Sequence, residues 1–375
     1  MSARFLTVVL ERAFNMRDGF GREIDYMRIS VIDSCNLNCY YCNPCDNNEH
    51  CHALNILSVK EVLCIVRAAT RLGIKHFRLT GGEPLLHPQL DEMVLQIKKI
   101  SGVSSVSLTT NAVLLAQHAK WLKEAGIDSI NVSLDTIDAS EYERITKKPL
   151  LEEVKHGINA AIECGIRVKI NVVLTPQTDV VALTRYVAKK GTDIRFIEMM
   201  PVGEGHTNGV EPYKKVIGTL SKLYGEPCRI NTEKTKEINS GNDKRKIPDN
   251  GPAEYYIFPE LGIRVGLIQA IHGKFCDTCN RIRVTADGRL MPCLGSSVTM
   301  DLVPDSCEFT DDLEKDFVIV QALKAAIKAK PRCHNFNDNA VTYTKTTETK
   351  TTETKTTELK AAEVNAARNM SRIGG

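Results

Sequence analysis

Arg28-Ile-Ser-Val-Ile-Asp-Ser-Cys-Asn-Leu-Asn-Cys-Tyr-Tyr-Cys42 joins an apolar, β-branched run to three cysteines, Cys35, Cys39 and Cys42, in C-x3-C-x2-C spacing. The run reads as a strand and the cysteines as the loop that leaves it. A 4Fe–4S cluster is ordinarily held by four thiolates, so a three-cysteine loop leaves one iron without a protein ligand. Such an iron can bind and activate a small molecule, whereas a fully ligated cluster mainly carries electrons. The competing reading is a zinc knuckle completed by Cys45, His50, Cys51 or His52 just downstream, although structural zinc prefers paired cysteines. Tyr41, directly before Cys42, favours the cluster.

Outward from this stretch, β-branched runs at 28–33, 76–80, 105–110, 129–134, 167–174 and 193–199 alternate with helical spacing. The clearest helix opens at Ser58, with Glu61 three residues on as a capping box. Gly73, Gly126, Gly165 and Gly191 each precede the next strand. Each is placed to stop its helix in the left-handed C′ conformation. Repeated αβ units imply a parallel sheet. Six of them fall short of the eight in a closed barrel, so the expectation is an α/β fold with a partial (β/α)6 TIM-type barrel. Ligands of such sheets sit at the C-terminal strand ends. There the cysteine loop follows strand one, and Gly81-Gly82-Glu83-Pro84 follows strand two.

Beyond residue 200 the character changes. Cys276, Cys279 and Cys293 form a second three-thiol group with no evident fourth member. Zinc ribbons need a second pair. Cys64 and Cys164 fall in helical patterns and read as small buried hydrophobes. The expected organisation is a barrel over 15–200 and a smaller C-terminal iron–sulfur domain over 201–335. A linker over 336–361 and a tail over 362–375 complete it. The linker repeats Lys-Thr-Thr-Glu-Thr at period five, which fits neither helix nor strand. The tail ends in Gly374-Gly375.

The chain has 375 residues, a net charge of +3 and 13 cysteines. It is long enough for a sizeable core. Near-neutral charge leaves no electrostatic footprint for nucleic acid. No apolar run reaches the ~20 residues of a membrane span. A cytoplasmic location is expected, where many cysteines imply metal or clusters rather than disulfides. Arg281 and Arg283, two apart on an extended segment, share a face and suit a polyphosphate. Arg28, Arg78 and Lys169 are charges in or near strands, read either as ligands or as ion-paired residues.

The cysteine triplet with Gly81-Gly82-Glu83-Pro84 resembles the cluster and methionine-binding motifs of radical S-adenosylmethionine (SAM) enzymes. Phe275-Cys-Asp-Thr-Cys-Asn-Arg-Ile-Arg283, Cys293, Arg195-Phe-Ile-Glu-Met-Met-Pro201 and the closing Gly-Gly resemble one family among them, the GTP 3′,8-cyclases of molybdenum cofactor biosynthesis. The resemblance implies two 4Fe–4S clusters, on Cys35, Cys39 and Cys42 and on Cys276, Cys279 and Cys293. It implies SAM at Tyr41, Gly82, Glu83, Ser133 and Met200. It implies GTP at Arg28, Arg78, Thr109, Lys169, Arg281, Ile282 and Arg283, with Arg28, Arg78, Lys169, Gly374 and Gly375 in catalytic roles. In that family the open iron of the second cluster binds guanine, and a 5′-deoxyadenosyl radical removes the ribose 3′ hydrogen before C8 is attacked. The implied partners are an electron donor and a downstream cyclic pyranopterin monophosphate synthase. Homodimerisation is compatible with the same reading.

Departures from the family pattern are Asn43 for Met, His87 for Arg and Ala112 for Gly, with Cys45 and Glu49-His-Cys-His52 added. None removes an expected ligand. The alternatives are another radical SAM enzyme with an auxiliary cluster, such as a peptide maturase, and an electron carrier or zinc-stabilised module. Arg281 and Arg283 argue against the first, and the barrel repeat argues against the second.

Overall fold

The βα repeat becomes a parallel sheet of β1 (Tyr26–Ser30), β2 (His76–Thr80), β3 (Ser105–Thr110), β4 (Ser129–Ser133), β5 (Val168–Leu174) and β6 (Asp193–Glu198), in that spatial order. This computed structural model describes residues 16–42, 55–202, 210–230, 251–296, 299–302, 312–334 and 336. The first strand begins two residues earlier than its apolar run, because Tyr26 pairs with His76 on one side and Arg281 on the other.

Helix α1 (Val59–Arg71) opens with the expected capping box: the Ser58 side chain accepts from Glu61 N–H, and the Glu61 side chain accepts from Ser58 N–H. The four glycine stops all stand at positive φ, from +63° at Gly191 to +88° at Gly126. L-residues with a Cβ seldom occupy that region.

Residues after 200 extend this sheet rather than forming one of their own. β9 (Arg264–Ile268) joins parallel to β6, and β10 (Arg281–Val284) joins parallel to β1. Antiparallel strands continue both edges. β8 (Glu254–Ile257) and β7 (Cys228–Arg229) lie beyond β9, and β11 (Arg289–Met291) and β12 (Met300–Asp301) lie beyond β10. The sheet stays open, as an incomplete barrel should. A later helix, α2 (Asp312–Lys328), packs on α1, where Arg71 Nη2 meets Asp316 Oδ2 at 2.9 Å.

Alternation along each strand separates two environments. Met27 and Ile29, Phe77 and Leu79, Ile130 and Val132, and Ile194 and Phe196 are at most 1% exposed and join the core under the helices. Each such side chain contributes about 1.5–3 kcal/mol. The alternate positions are polar: Arg28, Arg78, Thr109, Asn131, Lys169, Asn171, Arg195 and Arg283. An ordinary TIM barrel fills its interior with branched apolar residues. This one lines it with cations.

Candidate active site

At the C-terminal strand ends, the Gly81–Glu83 turn runs alongside the cysteine loop. Gly82 N–H donates to the Ile32 carbonyl at 2.7 Å and Glu83 N–H to the Ser34 carbonyl at 2.8 Å. A Cβ on Gly82 would stand 2.2 Å from the Ser34 oxygen, and one on Gly81 2.4 Å from that of Ile32. The glycines thus serve a close approach of two backbones, the second of which carries Cys35. Leu37 N–H and Asn111 Nδ2 both reach the Cys35 thiol, at 3.4 and 3.8 Å. Tyr41 donates its hydroxyl to Asp135, which also accepts from Val173 N–H at 2.7 Å, so the loop is fastened to the β4 and β5 ends. Ser133 is exposed at the end of β4, and Met200 is half-buried after β6.

Desolvation by the surrounding protein pushes the thiols up, Cys35 to about 12, Cys42 to about 11 and Cys39 further. Glu83 is pushed up to about 7 by burial, although Thr110, Asn111 and Leu85 all donate to it. Asp135 rises to about 6 for the same reason.

Along the barrel interior, Arg28 lies in register with Arg283 on one side and Arg78 on the other. Arg78 donates Nε to the Tyr26 hydroxyl and Nη1 to Thr109 Oγ1 at 3.5 Å. The guanidiniums of Arg78 and Arg281 lie 5.9 and 6.0 Å from the Tyr26 ring centre, within cation–π range. Burial alone would raise the Tyr26 hydroxyl, but Arg78, Arg28 and Arg281 bring it below its ordinary value. Burial, then the charges of Arg283 and Arg78, push Arg28 well down. Burial and Arg281 bring Arg283 to about 10. Two buried guanidinium nitrogens, Arg195 Nη2 and Arg283 Nη1, have no hydrogen-bond partner. Repelling, buried and partly unsatisfied guanidiniums describe a receptor for a polyanion.

The second cysteine group sits at the opposite end of the strands. Cys276 and Cys279 precede β10, whose Arg281 pairs with Tyr26 at the start of β1. Two adjoining cavities of about 400 and 390 Å³ share Phe275 and Thr278, and Arg281 lines the second. Desolvation raises the Cys276 thiol. It also acts on Cys279, but the charges of Lys330 and Arg281 outweigh it and bring that thiol down.

Both triplets suit a cluster. Within each, the thiols are close enough to feel one another's charge. No three His, Cys, Asp or Glu among the described residues are grouped to hold a single metal ion. A cluster does not require that, because each thiolate binds a different iron. Lys330 adds a buried ammonium, 2% exposed, beside the second triplet. Neutral thiols become thiolates on binding iron, and a cluster would supply the anion that this ammonium lacks.

Arg281 and Arg283 share the inner face, as their spacing required. Ile282, between them, is 1% exposed and packs in the core, because alternation turns its side chain away from theirs. Arg195 and Tyr26 join the interior without having been singled out, although strand alternation placed Arg195 opposite the buried Ile194 and Phe196. His87 is buried, with Nε2 on the Leu57 carbonyl at 2.9 Å and Nδ1 accepting from Gln89 N–H at 3.1 Å. Asn43, Cys45, His50, Cys51, His52, the Thr/Lys/Glu repeat, Gly374 and Gly375 lie outside the described residues.

Residues 29–182 match the family model of the Radical SAM superfamily, and residues 192–336 match that of Molybdenum Cofactor Synthesis C. A protein of Clostridium perfringens (strain SM101 / Type A) named GTP 3′,8-cyclase is 35% identical over 324 residues, which cover 86% of this chain and 95% of the relative. A Listeria monocytogenes relative of the same name is 36% identical over 323 residues, covering 85% and 92%. Among solved structures, Streptococcus suis SuiB bound to S-adenosylmethionine aligns with a TM-score of 0.53 at 15% identity. That alignment covers 80% of this chain and 65% of the other, a likeness of fold.

Proposed function

This chain belongs to the GTP 3′,8-cyclase family of radical SAM enzymes, and from that membership we propose that it converts GTP to 3′,8-cyclo-7,8-dihydro-GTP, the first step of molybdenum cofactor biosynthesis. The observation that carries this reading is a cationic barrel interior between two three-cysteine groups at opposite ends of the strands. The five residues of β1 set those ends about 16 Å apart at ~3.3 Å per residue, a distance that an extended nucleoside triphosphate can bridge.

Cys35, Cys39 and Cys42 would hold a cluster that, with SAM, would supply the radical chemistry needed to remove the ribose 3′ hydrogen. Tyr41, Gly82, Ser133 and Met200 surround the SAM position, and Glu83 braces it. Arg28, Arg78, Arg281 and Arg283 neutralise the phosphates, while Thr109, Lys169 and Arg195 hold the nucleoside towards the cysteine loop. Cys276, Cys279 and Cys293 would hold a second 4Fe–4S cluster, which would supply the site for the guanine base. Lys169, Arg195 and Arg283 are buried and Arg28, Arg78 and Arg281 half-buried, which limits the water that would otherwise screen them.

Further parts of the reading concern partners and chain organisation. An electron donor reduces the first cluster, and a cyclic pyranopterin monophosphate synthase takes the product. Homodimerisation is compatible with the reading. Residues 15–200 act as the barrel and 201–335 as the second-cluster unit, with a linker over 336–361 and a tail over 362–375. The family likeness gives Gly374 and Gly375 a part in the catalysis.

Incubation of the reduced, reconstituted protein with SAM and 3′-deuterated GTP tests the proposal. Deuterium is expected in 5′-deoxyadenosine. SAM cleavage without any deuterium transfer would exclude the cyclase chemistry and leave the peptide-maturase reading.

A further inference from the structure

Among the described residues, no carboxylate pairs with the ammonium of Lys330. Its side chain is 2% exposed. Nζ donates to the Arg281 carbonyl at 2.8 Å and to the Pro292 carbonyl at 2.9 Å, and its charge is felt at the Cys279 thiol. A buried cation without an anion is strongly unfavourable, and such groups persist when something anionic completes the site.

The contacts are arranged around one feature. Arg281 follows Cys279 by two residues, and Pro292 directly precedes Cys293. One ammonium therefore ties together the two segments that carry the second cysteine group. The turn that Lys330 opens completes the arrangement. Arg22, paired with Asp18 at 2.5 Å, donates to the carbonyls of Cys276 (2.7 Å), Arg332 (2.9 Å) and Pro331 (2.6 Å). All three cysteine positions are thus referenced to residues 330–332.

We propose that Lys330 is a positioning residue of the second iron–sulfur site: it fixes Cys279 and Cys293 relative to each other and supplies the counter-charge that raises the cluster's reduction potential. The inference rests on the reading that Cys276, Cys279 and Cys293 hold a cluster. Net charge and hydrogen bonds to the ligating sulfurs set iron–sulfur potentials. A fixed positive charge favours the reduced, more negative form, so removing it makes the site harder to reduce.

The test uses the full chain with Cys35, Cys39 and Cys42 changed to Ala, so that iron reports the second group alone. Iron per chain, the paramagnetic spectrum of the reduced form and the midpoint potential are measured after anaerobic reconstitution. Lys330→Met should shift the potential to a more negative value and alter the spectrum, and Lys330→Arg should restore part of the shift. If Lys330→Met does not fold, Lys330→Gln serves, since it keeps a donor and loses the charge. A full iron complement with an unmoved potential in either uncharged variant overturns the proposal alone. No iron in the chain with Lys330 intact overturns the reading of the second group, and the proposal with it.

Discussion

Asn111 N–H donates to Oε2 of Glu83 at 2.7 Å, tying the turn after β3 to the turn after β2. Thr110 Oγ1 and Leu85 N–H donate to Oε1 at 2.7 and 3.0 Å. Asn111 in turn gives Nδ2 to Asn36 Oδ1 at 2.7 Å, beside Cys35. One buried carboxylate thereby braces both neighbouring turns and, through Asn111, the cysteine loop.

That brace makes stability depend on pH. Burial raises Glu83 from 4.5 to about 7, so between those values the folded chain holds a proton that the unfolded chain has released. Stability from this group is therefore present at the acid end and lost as pH rises towards 7. At ~1.4 kcal/mol per pH unit, the effect is on the order of 3 kcal/mol. Urea unfolding of the iron-free protein across this window should show the Glu83→Gln variant lacking that part of the slope. Parallel curves for the two proteins would remove Glu83 from the account.

A second prediction concerns Ala112, where the family pattern has Gly. Ala112 sits at φ +65°, fully buried. A left-handed Ala costs about 1–2 kcal/mol. Its buried methyl returns ~0.8 kcal/mol, and Ala saves ~0.4–1 kcal/mol of unfolded-state entropy relative to Gly. These nearly cancel, so Ala112→Gly should change unfolding free energy by less than ~1 kcal/mol. Gly157 is different. Its Cβ would stand 2.4 Å from the Ala112 carbonyl oxygen. Overpacking of this kind costs ~1–3 kcal/mol, more than the ~1 kcal/mol of helix propensity that Ala contributes. Thermal unfolding should place Gly157→Ala clearly below wild type and Ala112→Gly beside it.

The barrel was legible in the sequence because its signals are local. Gly73, Gly126, Gly165 and Gly191 stop helices by their own conformational freedom, and Ser58 with Glu61 caps one within four residues. The placement of β9 and β10 was not legible, because each pairs with a strand far away along the chain, β6 and β1. The thiol spacings were visible as spacings. The groups that support them were not: Arg22 and Lys330 look like ordinary surface cations until the fold brings Cys276, Arg281 and Pro292 to them. Ile282 illustrates the converse: it adjoins Arg281 and Arg283 in sequence, but strand alternation turns its side chain into the core.

The last prediction follows from Arg195. Its Nε donates to Asn171 Oδ1 at 2.9 Å, and its Nη2 is buried without a partner. Its charge is felt at Arg281, so it belongs to the same anion receptor. Gly266 pairs with Arg195 in register. A Cβ there would lie 2.8 Å from Arg195 Cγ and 2.9 Å from Tyr255 Cε1. Glycine is needed because the arginine stem crosses the strand at that point. Hydrogen bonds to charged groups contribute about 1.5–3 kcal/mol, so Arg195→Gln should weaken GTP binding by roughly 10- to 100-fold. Arg195→Lys keeps the charge and loses the fork, and should fall between the two. Gly266→Ala should reproduce part of the loss by moving the stem, although the guanidinium itself is intact. SAM binding should be unchanged in all three variants. Calorimetric titration with GTP and with SAM separates these outcomes, and wild-type GTP affinity in Arg195→Gln would place Arg195 outside the substrate site.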